Sequence, residues 1–409
     1  MNLIFRKVRL NDNAPYMDVA IKHGKIADIG EKLACYGTQE IDAGGRVMIP
    51  GLIESHLHLE KAFVMDRKPN RSGTLMEAIA VSAALKPTFT REDIEMRARR
   101  VLKQLIAYGS THVRAHAEFD PAQGFTGFDT VLDLRREFHG LIDIQVVAFP
   151  QEGILKSPGT DAMMVEAMKK GADVVGGIPY NDTNANEHID WVFRLAKDFD
   201  KDLDFHQDFR DDDDAMSIEY LARKTISEKY EGRVSVGHLT ALAATRPERR
   251  NEIIALMRDA GISVMCLPAT DMHLGGRKDE FNVRRTITPV RALRDGGVNV
   301  CLATNNIRNA FTPYGTGDLL QIAALALPAC HLGGADDQPT VLPMLTTNAA
   351  RALRLPNYGI EIGKDADLVV LDTYRVADVI LDQPVRSFVV KRGRIVAQTH
   401  QYSKTNYDL

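Results

Sequence analysis

Pro50-Gly51-Leu52-Ile53-Glu54-Ser55-His56-Leu57-His58-Leu59 is the stretch on which the reading of the fold turns. Residues 51–59 form a short, mostly apolar run of the kind that is buried on both faces of a sheet, and two histidines stand near its end. Side chains two apart on a strand point the same way, so both imidazoles can reach one ion. Similar runs recur at 111–117, 142–149, 172–178, 202–208, 234–239, 262–267 and 298–304. Their spacing averages roughly 30 residues, the size of one strand–helix unit. Eight such units predict an α/β fold, a (β/α)8 TIM-type barrel, whose strands are covered on both faces and so carry no alternation. An open, doubly wound sheet is the competing arrangement.

Helical patterns fill the gaps. The clearest covers 91–108: Thr90 is placed as its N-cap, Asp93 follows three residues later, and Ile94, Val101, Leu102, Leu105 and Ile106 form its apolar face before Gly109. A second is read from Thr288-Pro289, a cap and a first-turn proline, to Asp295 before Gly296-Gly297. Outside the barrel the pattern changes. Strands are expected at 3–10 and at 17–29, the latter turned at His23-Gly24-Lys25. The other end repeats this with 367–372 and with 387–399, turned at Arg392-Gly393-Arg394. Strands this short need a partner sheet, so both termini are expected to form one small β-sandwich, residues 1–50 with 345–402, beside a barrel of residues 51–344.

Composition narrows the function. At 409 residues with 44% hydrophobic and 26% charged side chains, the chain can bury a large core and is neither fibrous nor disordered. A formal charge of −4 lacks the basic footprint that binding a phosphate backbone requires, so a small-molecule substrate is expected and nucleic acid is not. Cys35, Cys266, Cys301 and Cys330 are widely spaced and include no Cys-x-x-Cys pair, which points to a reducing cytoplasm. The N-terminus has no signal-peptide core, and no apolar run approaches the roughly 18 residues of a membrane span.

The chemistry is read from the strand ends. His206 closes the fifth run and His238 the sixth, and in barrels of this type functional groups come from the C-terminal ends of several strands. Four histidines therefore converge on one mouth, which satisfied core histidines would have no reason to do. No lysine stands at Ile178-Pro179-Tyr180, the end of the fourth run, so nothing there could bridge two metals and one divalent ion is expected. Nitrogen ligands suit zinc or iron. The sequence has no His-Glu-x-x-His, no Gly-Lys-Ser/Thr phosphate loop, no Gly-x-Ser-x-Gly elbow and no thiolate-zinc deaminase motif. The acidic run 211–214 is read as a solvated loop rather than a second metal site.

At these residues the chain resembles the amidohydrolase superfamily, and within it the group around bacterial cytosine deaminase and the N-isopropylammelide hydrolases. The likeness covers most of the chain. It is carried by Pro50-Gly51 with His56-Leu57-His58-Leu59, Ser72-Gly73-Thr74-Leu75, His112-Val113-Arg114 with His116, and Val147-Ala148-Phe149-Pro150-Gln151-Glu152-Gly153. It continues in His206-Gln207-Asp208, Gly237-His238 with Thr240-Ala241, His273-Leu274, Asn299-Val300-Cys301 and Pro313 with Gly315. The resemblance implies one metal held by His56, His58 and His206, with His238 orienting or polarising the attacked group. It also places Gln151 where the family's glutamine reads an amide-like ring edge.

Two departures bear on mechanism. The family's deaminases read His-Cys-Asp-Glu after the fifth strand, with the glutamate as proton shuttle; here the run is His206-Gln207-Asp208-Phe209. At the end of the eighth strand they carry an aspartate that binds the metal and takes the water's proton, whereas Thr304-Asn305-Asn306 puts Asn305 there. An amide oxygen can ligate a metal weakly and cannot act as a base. Proton transfer then falls to His238, Asp208 or Glu60, with Asn305 an altered ligand of the metal and of the reaction it supports. Phe209, Asn306 and Phe311 join Gln151 as expected substrate-binding residues. The first reading is metal-hydroxide attack on a C–N bond of a small amide, cyclic amidine or N-substituted azaheterocycle. The second is a cytosine deaminase-like aminohydrolase with rerouted proton transfer, and the third a binding protein that keeps the barrel without its chemistry. A homo-oligomer is expected by analogy with relatives.

Overall fold

A computed structural model of the chain describes residues 1–405. Five strands precede the barrel: β1 Leu3–Val8, β2 Met17–Lys22, β3 Lys25–Gly30, β4 Gln39–Asp42 and β5 Val47–Pro50. The eight expected runs then form β6 Leu52–Leu57, β7 Ser110–Glu118, β8 Asp143–Phe149, β9 Val174–Gly177, β10 Asp202–Gln207, β11 Val234–His238, β12 Ser263–Cys266 and β13 Asn299–Leu302. They make one sheet in sequential order, every neighbouring pair parallel, which is the barrel and not a doubly wound sheet.

The barrel closes at one residue. Asn305, just past β13, bridges in parallel to Leu57 of β6; its N–H donates to the His56 carbonyl at 2.8 Å, and the His58 N–H donates to the Asn305 carbonyl at 3.0 Å. The seam thus lies at the C-terminal end of the first strand, directly among the histidines.

The helix Arg91–Ala107 has the expected cap, with Thr90 Oγ1 accepting from Asp93 N–H. Its apolar stripe, Ile94, Val101, Leu102, Leu105 and Ile106, is buried, as amphipathic periodicity requires. The helix Val290–Asp295 begins later than its sequence suggests: Pro289 is its N-cap, and Thr288 Oγ1 donates to the His238 carbonyl at 2.6 Å. A threonine hydroxyl can satisfy either a helix end or a strand end, and here the buried strand end takes it.

After the barrel come β14 Leu368–Leu371, β15 Arg386–Lys391 and β16 Arg394–Gln398. They form a sheet in the order β16-β15-β14-β5, facing a second sheet β3-β2-β1-β4. Leu3, Phe5, Val19 and Ile21 of one pack with Met48, Leu368, Val370 and Val390 of the other in a shared core, as expected for a sandwich built from both ends of the chain.

Sandwich and barrel meet at a buried ion cluster. Lys391 Nζ lies 2.6 Å from Asp367 Oδ2, 2.7 Å from Asp143 Oδ2 and 3.3 Å from His112 Nε2. His112, Asp143 and Asp367 could by themselves hold a metal ion, but the ammonium of Lys391 already sits among them. Burial, and then the Lys391 charge, push His112 down to about 3, so this imidazole is neutral at ordinary pH. Removing one partner of a buried charge pair strands the others. Lys391→Met is expected to cost about 3 kcal/mol in urea unfolding, the low end for such a deletion. A loss too small to move the unfolding midpoint would show that this cluster does not join the two domains.

Candidate metal centre and active site

His56 lies in β6, His58 directly after it, His206 in β10 and His238 at the end of β11. At that rim the backbone turns sharply: His238 (φ 71°) and Asn305 (φ 65°) both adopt the left-handed conformation, uncommon for residues with a Cβ. The hydrogen bonds from Thr288 to His238 and between Asn305 and the histidine strand hold them there.

Nε2 of His206 lies 3.2 Å from Nε2 of His56 and 3.1 Å from Nε2 of His58. All three rings are buried. Burial, reinforced by the neighbouring imidazoles and, for His58, first by Lys61, holds each well below the usual histidine range. They are therefore neutral, with lone pairs facing one another, an arrangement that calls for a shared cation. Nitrogens bound to zinc at about 2.0–2.1 Å in a tetrahedron lie about 3.3–3.4 Å apart, close to the two spacings that His206 makes with His56 and with His58. Oδ1 of Asn305 is buried with no hydrogen-bond partner among the described residues, as a weak fourth ligand would be. The donor set fits a divalent ion.

His56, His206 and His238 form a second candidate set with ligand atoms within 4.8 Å of one another, and two further sets lie nearby. His116 and Asp204 share a candidate set with His56, but Asp204 accepts from Arg114 Nη1 at 2.7 Å and bonds His116 Nε2 at 2.9 Å. That network lies directly beneath the centre, with the His116 ring 3.9 Å from that of His56. Glu54 also stands below, accepting from the N–H groups of His56 and Thr304, each at 3.2 Å, and burial pushes its carboxyl up to about 7. Glu60 and Glu118 lie 3.8 and 3.7 Å from His58 Nδ1. Glu118 is bonded to Lys61 and lies 2.9 Å from Lys86 Nζ; against the pull of burial, these two cations hold it below the ordinary glutamate range. Neither oxygen of Glu60 has a partner among the described residues, and burial, then Glu118, push its carboxyl up.

His238 is built differently. Its Nδ1 lies 2.6 Å from Oδ1 of Asp271, in the buried turn of helix Pro268–Leu274. An ionised carboxylate only accepts, so Nδ1 carries the hydrogen and Nε2 is free. Phe209 stacks on this ring at 4.2 Å and 9°, fixing its plane.

Above the histidines is a narrow cavity lined by His58, His206 and His238, by Lys61, Gln151, Asn305 and Asn306, and by Leu75, Ile79, Tyr180, Phe209 and Phe311. Its free volume is about 10 Å³, room for roughly one water molecule. A ring-sized ligand requires the walls to part.

The structure thus brings together His56, His58, His206, His238, Asn305, Gln151, Phe209, Asn306 and Phe311. It does not bring Asp208 to them. Both Asp208 oxygens accept from Ser217 N–H at 3.0 and 3.1 Å, Oδ2 also from Ile218 N–H at 2.9 Å, and Asp208 is absent from the cavity wall. Its carboxylate accepts from the first N–H groups of helix Ile218–Ser227 and faces away from the cavity in this arrangement. Glu60 likewise lies behind His58, off the wall. In the acidic run Asp212, Asp213 and Asp214 are exposed, as expected, while Asp211 Oδ1 accepts from Gly276 N–H at 2.9 Å and from Thr286 Oγ1 at 2.5 Å, tying two rim loops together.

Sequence reasoning missed Asp271, Lys61 and Asp204. Asp204 had a signal, because it shares strand parity with His206 and so faces the same interior. Asp271 and Lys61 sit in irregular segments after strands, where no periodicity exposes them.

Comparison with known proteins agrees with this geometry. The model of the amidohydrolase family matches residues 62–397. N-isopropylammelide isopropyl amidohydrolase of Pseudomonas sp. (strain ADP) is 32% identical over 406 residues, 97% of each chain. Among solved structures, 5-methylcytosine deaminase from Klebsiella pneumoniae liganded with phosphonocytosine superposes with a TM-score of 0.94 at 31% identity, covering 98% of this chain and 100% of that one. N-isopropylammelide isopropylaminohydrolase from Burkholderia multivorans gives 0.86 at 28%, covering 97% and 99%.

Gly237 of β11 leaves the room that His56 occupies: a Cβ there would lie 2.8 Å from the ring's Cε1. Gly237→Ala is expected to cost about 1–3 kcal/mol of stability by overpacking and to weaken zinc binding at least tenfold in a competitive-chelator titration. Unchanged zinc affinity would mean that His56 is not a ligand.

Proposed function

This chain belongs to the amidohydrolase family and is a metal-dependent hydrolase of carbon–nitrogen bonds, and on that premise we propose that it removes an amine from a small planar azaheterocycle. The observation that carries the reading is the meeting of three neutral imidazole nitrogens beneath a flat-walled cavity. His56, His58 and His206 would hold one zinc or iron ion, with Asn305 Oδ1 beside them. When bound, such an ion lowers the pKa of water towards about 7 and polarises the attacked carbon.

The rest falls to the chain's own residues. Phe209 and Phe311 take the faces of the ring, and Gln151 and Asn306 its edge. Asn305 cannot take a proton and Phe209 cannot deliver one, so the transfer runs through Nε2 of His238. Asp271 holds the hydrogen on Nδ1, which leaves the lone pair of the neutral ring on Nε2, able to accept a proton from water and return it to the leaving nitrogen. The narrow walls exclude bulk water while this happens.

The deaminase reading is the second one, favoured by the 5-methylcytosine deaminase superposition; it differs in releasing ammonia rather than a substituted amine. We place the protein in the cytoplasm as a homo-oligomer: its four cysteines form no disulfide, as in a reducing compartment, and no helix among the described residues is long and apolar enough to cross a membrane.

The test is a panel of amino- and N-alkylamino-substituted oxopyrimidines and oxotriazines offered to protein reconstituted with zinc or iron, with released amine or ammonia measured. Turnover of at least one N-alkylamino ring is expected, and none by the fully metalated protein would refute the reading. His238→Asn should lower kcat roughly 10²–10⁴-fold with metal content unchanged. Full activity in that variant would assign the proton to another group.

A further inference from the structure

Three segments grip His238, and one carboxylate outside the cavity ties them together. Phe209 lies flat on the His238 ring, Asp271 bonds its Nδ1, and Thr288 donates to its backbone carbonyl. The Phe209 segment is fastened to the end of the histidine's own strand. Arg210 N–H donates to Thr240 Oγ1 at 3.0 Å, and Thr240 Oγ1 donates to the Arg210 carbonyl at 2.7 Å. Asp271 and Thr288 are placed differently. Asp271 lies in the short helix Pro268–Leu274, whose first turn is held by Thr312 and Tyr314. Residues 275–289, which include Thr288, form neither helix nor strand, and 280–285 are exposed. Side-chain hydrogen bonds must therefore fix the path of this stretch.

Asp211 closes the stretch at its base. Its Oδ1 accepts from Gly276 N–H at 2.9 Å and from Thr286 Oγ1 at 2.5 Å, the two ends of the exposed excursion, and its carbonyl accepts from Arg284 Nη1 at 2.7 Å. The pinch is tight. Gly276 has φ 69°, and a Cβ there would lie 2.2 Å from the Arg284 carbonyl oxygen; one on Gly275 would lie 2.4 Å from Thr286 Cβ. Gly275 N–H donates to the Asp271 carbonyl at 2.8 Å, and Thr288 follows Thr286 by two residues. One carboxylate oxygen thus fixes both the end of the Asp271 helix and the approach to Thr288 against the segment that carries Phe209. No residue of 271–288 lines the cavity or belongs to the His56, His58 and His206 set. A displacement there reaches the reaction only through His238.

We propose that Asp211 is a positioning residue: by pinching Gly276 to Thr286 it keeps Asp271 and Thr288 on His238, so that the ring holds its tautomer and its direction while Nε2 takes a proton and returns it. This rests on the reading of His238 as the proton carrier of a C–N hydrolase. The left-handed backbone of His238, φ 71°, is a conformation that surrounding contacts have to maintain. An imidazole that loses its carboxylate partner is free to exchange tautomers and to turn. A misplacement of about 1 Å at a reacting group costs up to about 10²-fold in rate, even when the mutation lies far from the chemistry.

Asp211→Ala and Asp211→Asn are compared with the wild type as zinc-loaded proteins, on the N-alkylamino ring that the wild type turns over fastest. Asp211→Ala is expected to lower kcat about 10- to 100-fold. KM should change less than about threefold and zinc content not at all, because the cavity wall and the three imidazoles are untouched. Asp211→Asn keeps an oxygen that accepts both hydrogen bonds, and is expected to recover kcat to within about threefold of the wild type. If the alanine variant does not fold, Thr286→Val removes one of the two donors and is expected to lower kcat in the same selective way. A second readout needs no turnover. In protein labelled with 15N-histidine, the short Nδ1–H bond to Asp271 gives a downfield proton resonance, identified by its loss in His238→Asn. That resonance is expected to move upfield or vanish in Asp211→Ala and to return in Asp211→Asn. Unchanged kcat in Asp211→Ala, a loss carried equally by KM or zinc content, or an unperturbed resonance overturns the inference. If the wild type turns over no ring, the C–N hydrolase reading fails alone, and the resonance still decides whether Asp211 holds His238.

Discussion

The site depends on the seam that closes the barrel. A ring of eight parallel strands must join its last member to its first, and the bonds that do so run between Asn305 and the His56–His58 segment. Barrel closure and the placement of these imidazoles are therefore one constraint: if the last strand slips, the His56 and His58 nitrogens move relative to His206, which stands on the far arc of the barrel in β10. The left-handed backbone at Asn305 and His238 is the local cost of turning the chain inward at that rim, and it is held by buried backbone hydrogen bonds rather than by the ligands themselves.

Charge is distributed unusually around this seam. Carboxylates are plentiful near the histidines, yet all but Glu60 are committed to hydrogen bonds or ion pairs. Asp204 serves Arg114 and His116, Glu118 serves Lys61 and Lys86, Asp271 serves His238, and Asp208 caps a helix. The result is a cavity wall whose one fixed side-chain charge is the ammonium of Lys61. Burying that charge is tolerable only because Glu118 compensates it from behind. The apolar ring of Phe209 completes the arrangement by orienting His238 through stacking instead of supplying a proton.

The fold was legible because its signals are periodic. Apolar runs every strand–helix unit, the capped helix after Thr90 and the Gly24 and Gly393 turns all encode local geometry that tertiary contacts do not override. The four histidines were legible for a related reason, since strand parity and strand ends fix where such side chains point. Asp208 shares its strand run with His206 but lies just past β10, where parity no longer applies and a helix N-terminus captures the carboxylate. Thr288 misled similarly, because a cap-like residue before proline bonded a strand end from elsewhere in the chain. Lys61 and Asp271 were invisible, since their partners Glu118 and His238 are brought near only by the closed barrel.

The account stands or falls on whether one cation sits among three imidazoles. A crystal structure of the zinc-loaded protein, with the ion located by its anomalous signal, tests this most directly. The account predicts a single peak about 2.0–2.1 Å from Nε2 of each of His56, His58 and His206, with the Asn305 side chain turned towards it. A peak bound instead by His116 and Asp204, or by Glu60 and Glu118, would contradict it.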